Sequence, residues 1–463
     1  MSGRLQVLLP SDVFPPRCGG AGWSAHTLAR ALIERGHAVT AIVPQPARAG
    51  AAPHNLVAEH VLGVPTVYAA YWAPNLPFVQ NYFRYERFWP RLADTIVRVA
   101  EQQAPHRQHQ ARIIHAQHVQ AAQAAVLAGR RLGVPVVITV RDHWPWDYFS
   151  TGLHANRLPY ANQTWASLAA DLPVRLGVLR GTLALVAMPY MLAHMRRRRQ
   201  ALRQADAVIA VSAYMAGRLA RAVPEARIHV LPNMVDLAAI DATLATPQAS
   251  VPAGTRYLLF VGKLEQNKGA QLLVEIFRAA HRQQPRTPLS ARWSLVVAGD
   301  GPLRPMLERE LAALGIHAHF LGWVPHDEVL RLIGGCELLL FPSAWGEPLS
   351  RVPLEAGACG AAMLAMPTGG TPDIISDGVN GALEPTIGGF ARRMVALLAD
   401  PPAGGGWARL RARWPSSVSR RPCWRSRPRS CTTRCVPLLH RRPVRGLNSS
   451  RTTNLPAAER PTP

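Results

Sequence analysis

Both lysines of this chain lie in one short loop. Among 463 residues there are 52 basic side chains, and all except Lys263 and Lys268 are arginines. The loop follows an apolar run and precedes a segment with apolar residues at helical spacing. A helix amino terminus beside two ammonium groups attracts anions, and a compact ammonium on a flexible stem suits phosphate. We interpret the loop as an anion site, above all for a diphosphate; the alternative is two solvated surface lysines.

A pair of carboxylates, Glu347 and Glu355, is separated by seven residues. With Ser350 as the helix cap, Glu347 lies in a loop and Glu355 lies about one and a half turns into the following helix. Carboxylates accept hydrogen bonds from pairs of sugar hydroxyls, and backbone N–H groups between them suit phosphate. The alternative is a capping carboxylate followed by a glutamate on a helix surface.

Short apolar runs alternate with helical segments along the chain, which predicts parallel sheets covered by helices. The first series of predicted strands occupies residues 5–9, 38–43, 66–71, 112–114, 134–140 and 207–211. The second series occupies residues 257–261, 293–298, 318–321, 338–341 and 361–366. The expected fold class is α/β, with two doubly wound Rossmann-like domains facing across a cleft. Ligands of such sheets bind beyond the carboxyl ends of the strands.

The predicted domain organisation has four parts. An amino-terminal domain spans residues 1–232, a linker 233–254 and a carboxyl-terminal domain 255–400. Residues 401–463 form a tail with 14 arginines and a single acidic residue, Glu459. So few apolar residues against so much charge predict disorder. We hypothesise that a shifted reading frame encodes this tail.

The net charge of +24 does not indicate a nucleic-acid-binding protein, because much of it lies in the tail. The tail lacks the interleaved aromatics of nucleic-acid-binding segments. The cysteines of the body, Cys18, Cys336 and Cys359, lack the paired spacing of a metal site. The longest apolar run, 181–193, contains Pro189 and is shorter than a membrane span needs. We therefore expect a cytoplasmic chain without a membrane span.

In order and spacing these features resemble the family 4 retaining glycosyltransferases of GT-B fold, over roughly residues 4–400. The carboxyl-terminal resemblance rests on the lysine loop, Glu347 and Glu355, and on Ala-Gly-Asp-Gly-Pro at 298–302 and Phe-Leu-Gly-Trp-Val at 320–324. The amino-terminal resemblance rests on Gly-Gly-Ala-Gly at 19–22, Leu-Ala-Arg-Ala-Leu at 28–32 and Arg-Gly-His-Ala-Val-Thr at 35–40.

The resemblance implies roles at matching positions. Gly19 and Gly20 would approach the donor diphosphate, and Lys263 and Lys268 would neutralise it. Glu347 would bind hydroxyls of the donor sugar and Glu355 the ribose. Leu349 and Ser350 would donate backbone N–H groups to the phosphates, with Ser350 in place of the commoner glycine. The reaction would retain the anomeric configuration without a metal or other cofactor.

The chain departs from the family after its predicted strand 134–140. Many members place a histidine there near the reacting sugar, and direct alignment puts Arg141 in that position. His143 is then a candidate catalytic residue, with a structural histidine as the alternative. His115 and His118 are expected on the same cleft edge.

Two further features bear on the acceptor. Trp144, Trp146, Tyr148 and Phe149 form either an acceptor platform or core. The arginine run 196–199 either contacts an anionic membrane or covers a solvated helix face. The solvated face is favoured, because runs of charged residues are common on exposed helices.

The sequence thus predicts a transferase that moves a sugar from a UDP or GDP sugar to a glycan or a lipid-linked acceptor. It would work in the cytoplasm, or peripherally on the inner face of the membrane. The alternatives are an inactive homologue that binds nucleotide sugar and has a disrupted carboxyl terminus and, less favoured, a basic nucleic-acid-associated protein.

Overall fold

Two β-sheets, built from apolar strands and covered by helices, form the frame of the molecule. The computed structural model describes residues 3–399 except 17, 48–56, 77, 104–110, 151–152, 155–157, 160–161, 247, 249, 253 and 284–292. Both sheets belong to one unit, Met1–Pro415. The predicted tail lies outside the described residues.

The amino-terminal domain contains an eight-stranded sheet in the order β10-β9-β6-β5-β1-β2-β4-β3. Its strands are β1 (Leu5–Pro10), β2 (Ala38–Pro46), β3 (Val57–Val61), β4 (Val64–Tyr71), β5 (Ala111–Ala116), β6 (Val136–Val140), β9 (Ala207–Ala210) and β10 (Ile228–Val230). Neighbouring strands are parallel, except that the edge strand β3 runs antiparallel to β4. A separate hairpin joins β7 (Leu153–His154) and β8 (Leu158–Pro159).

The helices of this domain cover both faces of the sheet and extend beyond it. They are α1 (Gly20–Glu34), α2 (Val79–Arg84), α3 (Trp89–Gln103), α4 (Val119–Leu132), α5 (Trp165–Leu176), α6 (Val178–Leu183), α7 (Met188–Arg203) and α8 (Ala213–Ala222). A short 3-10 helix, Ala184–Ala187, connects α6 to α7. Because strand residues alternate in direction, Leu8 packs in one core while Val7 and Leu9 pack in another.

The carboxyl-terminal domain contains a six-stranded parallel sheet in the order β13-β12-β11-β14-β15-β16. Its strands are β11 (Tyr257–Val261), β12 (Ser294–Ala298), β13 (Ala318–Gly322), β14 (Leu338–Phe341), β15 (Met363–Ala365) and β16 (Ala382–Leu383). Its helices are α10 (Leu272–Gln283), α11 (Arg304–Ala313), α12 (His326–Gly335), α13 (Arg351–Ala358) and α14 (Ile387–Ala399). Two 3-10 turns are Gln266–Lys268 and Thr371–Asp373.

The predicted linker, 233–254, is partly helical. Helix α9 (Leu237–Leu244) begins at Asp236, whose side chain accepts a hydrogen bond from the Ala239 N–H. It packs on α12 of the carboxyl-terminal domain. The linker prediction rests on the polar stretch 241–254, which overlaps the end of this helix, and the apolar segment of eight residues is too short to indicate a helix.

One helical stretch among the described residues has the length and composition of a membrane span. It is Val178–Arg203, with 26 residues and a mean hydropathy of 1.3 over its best 18-residue window, of which 33% is buried inside the protein. We expected Pro189 to interrupt such a stretch, but Pro189 lies in the first turn of α7, where the missing N–H costs nothing. The core helix of a soluble protein meets the same criteria of length and composition, so this stretch is weak evidence for a membrane span.

The arginine run on α7 is not a uniformly solvated face, which corrects the favoured interpretation. Arg196 and Arg197 are exposed, but Arg198 is 2% exposed. Arg199 is half-buried and donates to the Pro145 carbonyl at 2.8 Å. Four consecutive helical residues point in different directions, and α7 packs against both α4 and α5.

Candidate functional site

The lysine loop closely approaches the loop that follows β14. Gly269 has a φ of 72°, and a Cβ there would collide with the carbonyl oxygen of Pro342. Only glycine tolerates both the left-handed backbone and this close approach. The loop thereby brings Lys268 beside the segment that carries Glu347.

Lys268 and Glu347 form a bidentate ion pair. The Lys268 Nζ lies 2.7 Å from Oε1 and 3.0 Å from Oε2 of Glu347. The indole N–H of Trp345 also donates to Glu347, and the Lys268 ammonium lies 5.2 Å from the centre of the Trp345 ring. The Glu347 side chain is 7% exposed and that of Lys268 26%. Two residues predicted to bind the donor therefore form one charged cluster.

Lys263 lies outside this cluster. Its side chain is 73% exposed, and its ammonium is 4.0 Å from the carboxylate of Glu265. The shared loop therefore presents one ammonium bound to Glu347 and a second that faces solvent.

Glu355 is buried on α13 and bound by two basic side chains. Its Oε1 lies 2.9 Å from the His326 Nε2 and 2.9 Å from the Arg351 Nε. Burial alone would raise the pKa of Glu355, but the hydrogen bond from His326 and the charge of Arg351 lower it below its ordinary value. Glu355 is therefore an ionised acceptor.

Arg351 connects Glu355 to the amino terminus of α1. Its Nη1 lies 3.3 Å from the Ser24 hydroxyl oxygen and 3.4 Å from the Met234 carbonyl oxygen. A Cβ on Gly20 would lie 3.1 Å from the Arg351 Cδ, whereas one on Gly19 would meet open space. Gly20 thus permits Arg351 to pack against the helix, and Gly19 leaves room in the cleft.

A ring contact also joins the two domains. Trp23 on α1 stacks on His326 of α12 with centroids 5.3 Å apart and an interplanar angle of 17°. The Glu355 cluster is therefore completed by residues of both domains.

Side chains of the amino-terminal domain and of the linker hold the 346–350 loop. His143 donates to the Gly346 carbonyl at 2.7 Å, Ser212 to that of Pro348 at 2.6 Å, and Asn233 to that of Leu349 at 3.2 Å. The Leu349 side chain packs in the core of the amino-terminal domain. Among the described residues the N–H groups of Leu349 and Ser350 have no hydrogen-bond partner. Those two N–H groups are available to an anion at the start of α13.

His143 is fully buried and both of its ring nitrogens are occupied. Its Nδ1 accepts from the Trp146 indole N–H at 3.1 Å, so its Nε2 carries the proton donated to Gly346. Burial lowers the pKa of His143 below its ordinary value. The structure places this candidate as a neutral histidine that fixes the loop bearing Glu347.

The other polar residues of this edge form their own contacts. The buried His118, which caps α4, pairs with Asp142 at 2.6 Å. His115 lies 2.8 Å from the Thr139 hydroxyl oxygen, and burial lowers its pKa to about 3. Arg141 donates to Gln117 and Asn233. Arg141, in the family's histidine position, therefore supports the Asn233 contact to the loop.

Sequence reasoning missed five residues of this site: Trp23, Trp345, His326, Arg351 and Asn233. Arg351 had a local signal, because it precedes Glu355 by four residues on a predicted helix. His326 had none, since it is 29 residues from Glu355 along the chain.

Two family models match this chain, one for each domain. The model described as Glycosyltransferase Family 4 matches residues 18–239, and the model described as Glycosyl transferases group 1 matches residues 244–414. The chain belongs to the family 4 glycosyltransferases. Each match contains one half of the site, with His143 and Gly20 in the first and Lys268 and Glu347 in the second.

Named relatives of this glycosyltransferase match different shares of it. Alpha-maltose-1-phosphate synthase of Mycolicibacterium smegmatis is 30% identical over 228 residues, which cover 44% of this chain and 56% of that protein. One subunit of the phosphatidylinositol N-acetylglucosaminyltransferase of Arabidopsis thaliana is 24% identical over 389 residues, covering 82% of this chain and 72% of that protein. The chain thus spans little more than half the length of the first relative.

A solved structure confirms the fold. The crystal structure of Anabaena HepE in complex with UDP aligns with a TM-score of 0.56 and 16% identity, over 89% of this chain and 94% of that one. The two doubly wound domains of this glycosyltransferase form the GT-B fold that the sequence predicted.

Proposed function

We propose that this glycosyltransferase moves a sugar, with retention, from a nucleoside diphosphate sugar of UDP or GDP type to a glycan or lipid-linked acceptor. The observation that carries the proposal is the Lys268–Glu347 pair beside the unpartnered N–H groups of Leu349 and Ser350. These groups provide a cation, a hydroxyl acceptor and anion-binding donors in one place. Glu355 and Gly19 would border the same ligand.

In the proposed reaction the bond between the anomeric carbon and the diphosphate oxygen breaks. The acceptor oxygen bonds to the same face of that carbon, and its proton passes to the departing diphosphate oxygen, so that a nucleoside diphosphate is released. Lys268, with the exposed Lys263, would balance the charge that grows on the departing diphosphate. Glu347 would hold hydroxyls of the sugar, and Glu355 the ribose.

We further propose that no resident metal is needed. Among the residues that the structure describes, no three or more His, Cys, Asp or Glu side chains are grouped so that they could hold a metal ion. Lys268 and the free N–H groups of Leu349 and Ser350, with the exposed Lys263 in the same loop as Lys268, would supply positive potential of the kind that a cation gives elsewhere.

The comparisons bear on the proposed donor and acceptor. HepE was crystallised with UDP, which supports a uridine donor. The Arabidopsis relative is named for a phosphatidylinositol acceptor, which supports a lipid-linked acceptor. We propose a location in the cytoplasm or at the inner face of a membrane, where a nucleotide sugar and a lipid acceptor meet.

The test incubates the full chain with UDP and GDP sugars in EDTA and follows the products by proton NMR. The proposal expects release of one nucleoside diphosphate and a first-formed product with the anomeric configuration of the donor. Lys268→Ala should slow the release by about 10²–10³-fold, and Arg196→Leu, an exposed change on α7, should not slow it. An inverted product would contradict retention, and binding without turnover would indicate the inactive homologue.

A further inference from the structure

The amino-terminal domain contains a cavity of about 780 Å³ that the donor site does not use. Aromatic and aliphatic side chains dominate its wall, among them Phe78, Tyr148, Phe149 and Leu183. Cavities of about 300–1,000 Å³ accept drug-sized ligands. The size and lining suit a hydrocarbon chain.

A buried arginine also lines this cavity. Arg198 is 2% exposed, and its guanidinium lies 4.5 Å from the centre of the Trp144 ring. Its Nη1 donates to the Trp144 carbonyl at 3.2 Å, but its Nε has no hydrogen-bond partner in the described structure. A buried guanidinium with an unmet donor is costly unless a ligand supplies the partner.

No carboxylate of the described residues forms an ion pair with Arg198. The acidic groups whose charges reach it, Asp142 and Glu86, have other partners. Asp142 pairs with His118, and Glu86 pairs with His194 and Arg197. Arg198 therefore feels these two carboxylates only from a distance, and no carboxylate of the described residues contacts its guanidinium, which favours an anionic ligand.

The rim of the cavity is apolar and exposed. Two lining residues, Leu183 and Val186, are 66% and 86% exposed, and Val178 and Leu179, which precede them in the chain, are 77% and 75% exposed. They lie on α6 and the 3-10 helix after it, where Arg180 also lines the cavity. An exposed apolar patch of this kind marks a surface for lipid or another apolar partner.

One residue that lines the cavity is next in sequence to a residue of the donor site. Trp144 lines the cavity, and its neighbour His143 contacts Gly346 beside Glu347. One short segment, 143–144, therefore contacts both the cavity and the loop that carries Glu347.

We propose that this cavity binds the hydrocarbon chain of a single-chain lipid phosphate, with the phosphate paired to Arg198. The apolar wall selects the chain, and the buried guanidinium of Arg198 selects the anion. A neutral glycan would not pair with the guanidinium, and a free anion would not fill the apolar wall. The inference rests on the proposed function, since it names the class of acceptor.

The test measures binding of farnesyl phosphate, farnesol and inorganic phosphate to the full chain by calorimetry, without any donor. Farnesyl phosphate should bind at least tenfold more tightly than farnesol, and inorganic phosphate should not bind at the same concentration. Arg198→Leu should weaken farnesyl phosphate at least tenfold and leave farnesol unchanged. The matched control Arg196→Leu, one of the same run but exposed, should change neither.

Further variants keep the result decisive. Should Arg198→Leu fail to fold, Leu183→Glu at the exposed rim should weaken farnesyl phosphate more than farnesol. Equal affinity for farnesyl phosphate and farnesol, or binding of inorganic phosphate as tightly as farnesyl phosphate, would overturn the inference.

Titrations with UDP and GDP distinguish this inference from the proposed function. Lipid binding without nucleotide binding would contradict the proposed donor site alone. Nucleotide binding without lipid binding would contradict this inference alone.

Discussion

At the scale of single residues, the ammonium of Lys268 already has a partner in the carboxylate of Glu347. A diphosphate that binds here would share that ammonium with Glu347, so the two residues act as a unit. Removing either leaves the other charged and largely buried.

Lys268→Ala is expected to lower kcat/KM for donor turnover by about 10²–10³-fold, the cost of losing one group that stabilises developing negative charge. It should also lower the free energy of unfolding by about 1–3 kcal/mol, because Glu347 loses its partner. Steady-state kinetics and urea melts measure both. Glu265→Gln, a change at an exposed carboxylate of the same loop, should leave stability unchanged; unaltered turnover in Lys268→Ala would refute the role of the pair.

For His143 the geometry predicts positioning rather than proton transfer. His143→Ala should lower kcat/KM by loosening the Gly346 contact, because its Nε2 proton is already donated there. The pH–rate profile of the variant from pH 5 to 9 should show the same ionisations as that of the wild type. Loss of an ionisation near the ordinary histidine pKa in the variant would show instead that His143 transfers a proton.

These residues also show what sequence can predict. Lys268, Glu347 and Glu355 were identifiable because spacing along one loop and one helix is local information. The Lys268–Glu347 pair spans 79 positions and depends on how two loops meet, with Gly269 allowing the approach. Alignment puts Arg141 in the family's histidine position, and His143 became a candidate only because it lies two residues further on; neither observation contains anything about the Trp146 and Gly346 contacts.

At the scale of elements, strands were easier to predict than their connections. Each predicted apolar run overlaps a strand, and the bounds of β11 and β14 agree to the residue, since a strand covered on both faces is continuously apolar. Helix α6 escaped prediction because its exposed apolar residues give no amphipathic pattern. Helix α9 escaped because its segment is only eight residues long.

The His118–Asp142 pair joins the start of α4 to the end of β6 and predicts a pH-dependent stability. Burial alone would lower the pKa of His118, but Asp142 raises it above its ordinary value of 6.5. A raised pKa stabilises the fold fully below about pH 6.5, and that contribution is lost as the pH rises through the folded-state value. Asp142→Asn should therefore cost more stability at pH 5.5 than at pH 9.

Urea melts of wild type and Asp142→Asn at both pH values measure this difference. Asp94→Asn, which removes an exposed partner of Arg131, is the matched control and should show little dependence on pH. An equal loss at pH 5.5 and pH 9 would show that the charge of His118 contributes nothing.

At the scale of the whole molecule, the carboxyl ends of two parallel sheets meet at one set of contacts between domains. Trp23 stacks on His326, Arg351 reaches Ser24, and His143 holds Gly346. The alternating pattern predicted two such sheets, because parallel strands need crossover helices. It did not predict these contacts, since each joins residues of different domains.

We expect this meeting point to bind a nucleoside diphosphate. The most direct measurement is the thermal melt of the full chain in EDTA with UDP, GDP or ADP. One of them should raise the melting temperature, by a stabilisation of about 2.7 kcal/mol at 100 times its Kd. Glu355→Gln should melt cooperatively but show a smaller shift, and Arg196→Leu should behave as wild type. A cooperative melt that none of the three nucleotides shifts would contradict nucleotide binding at this site.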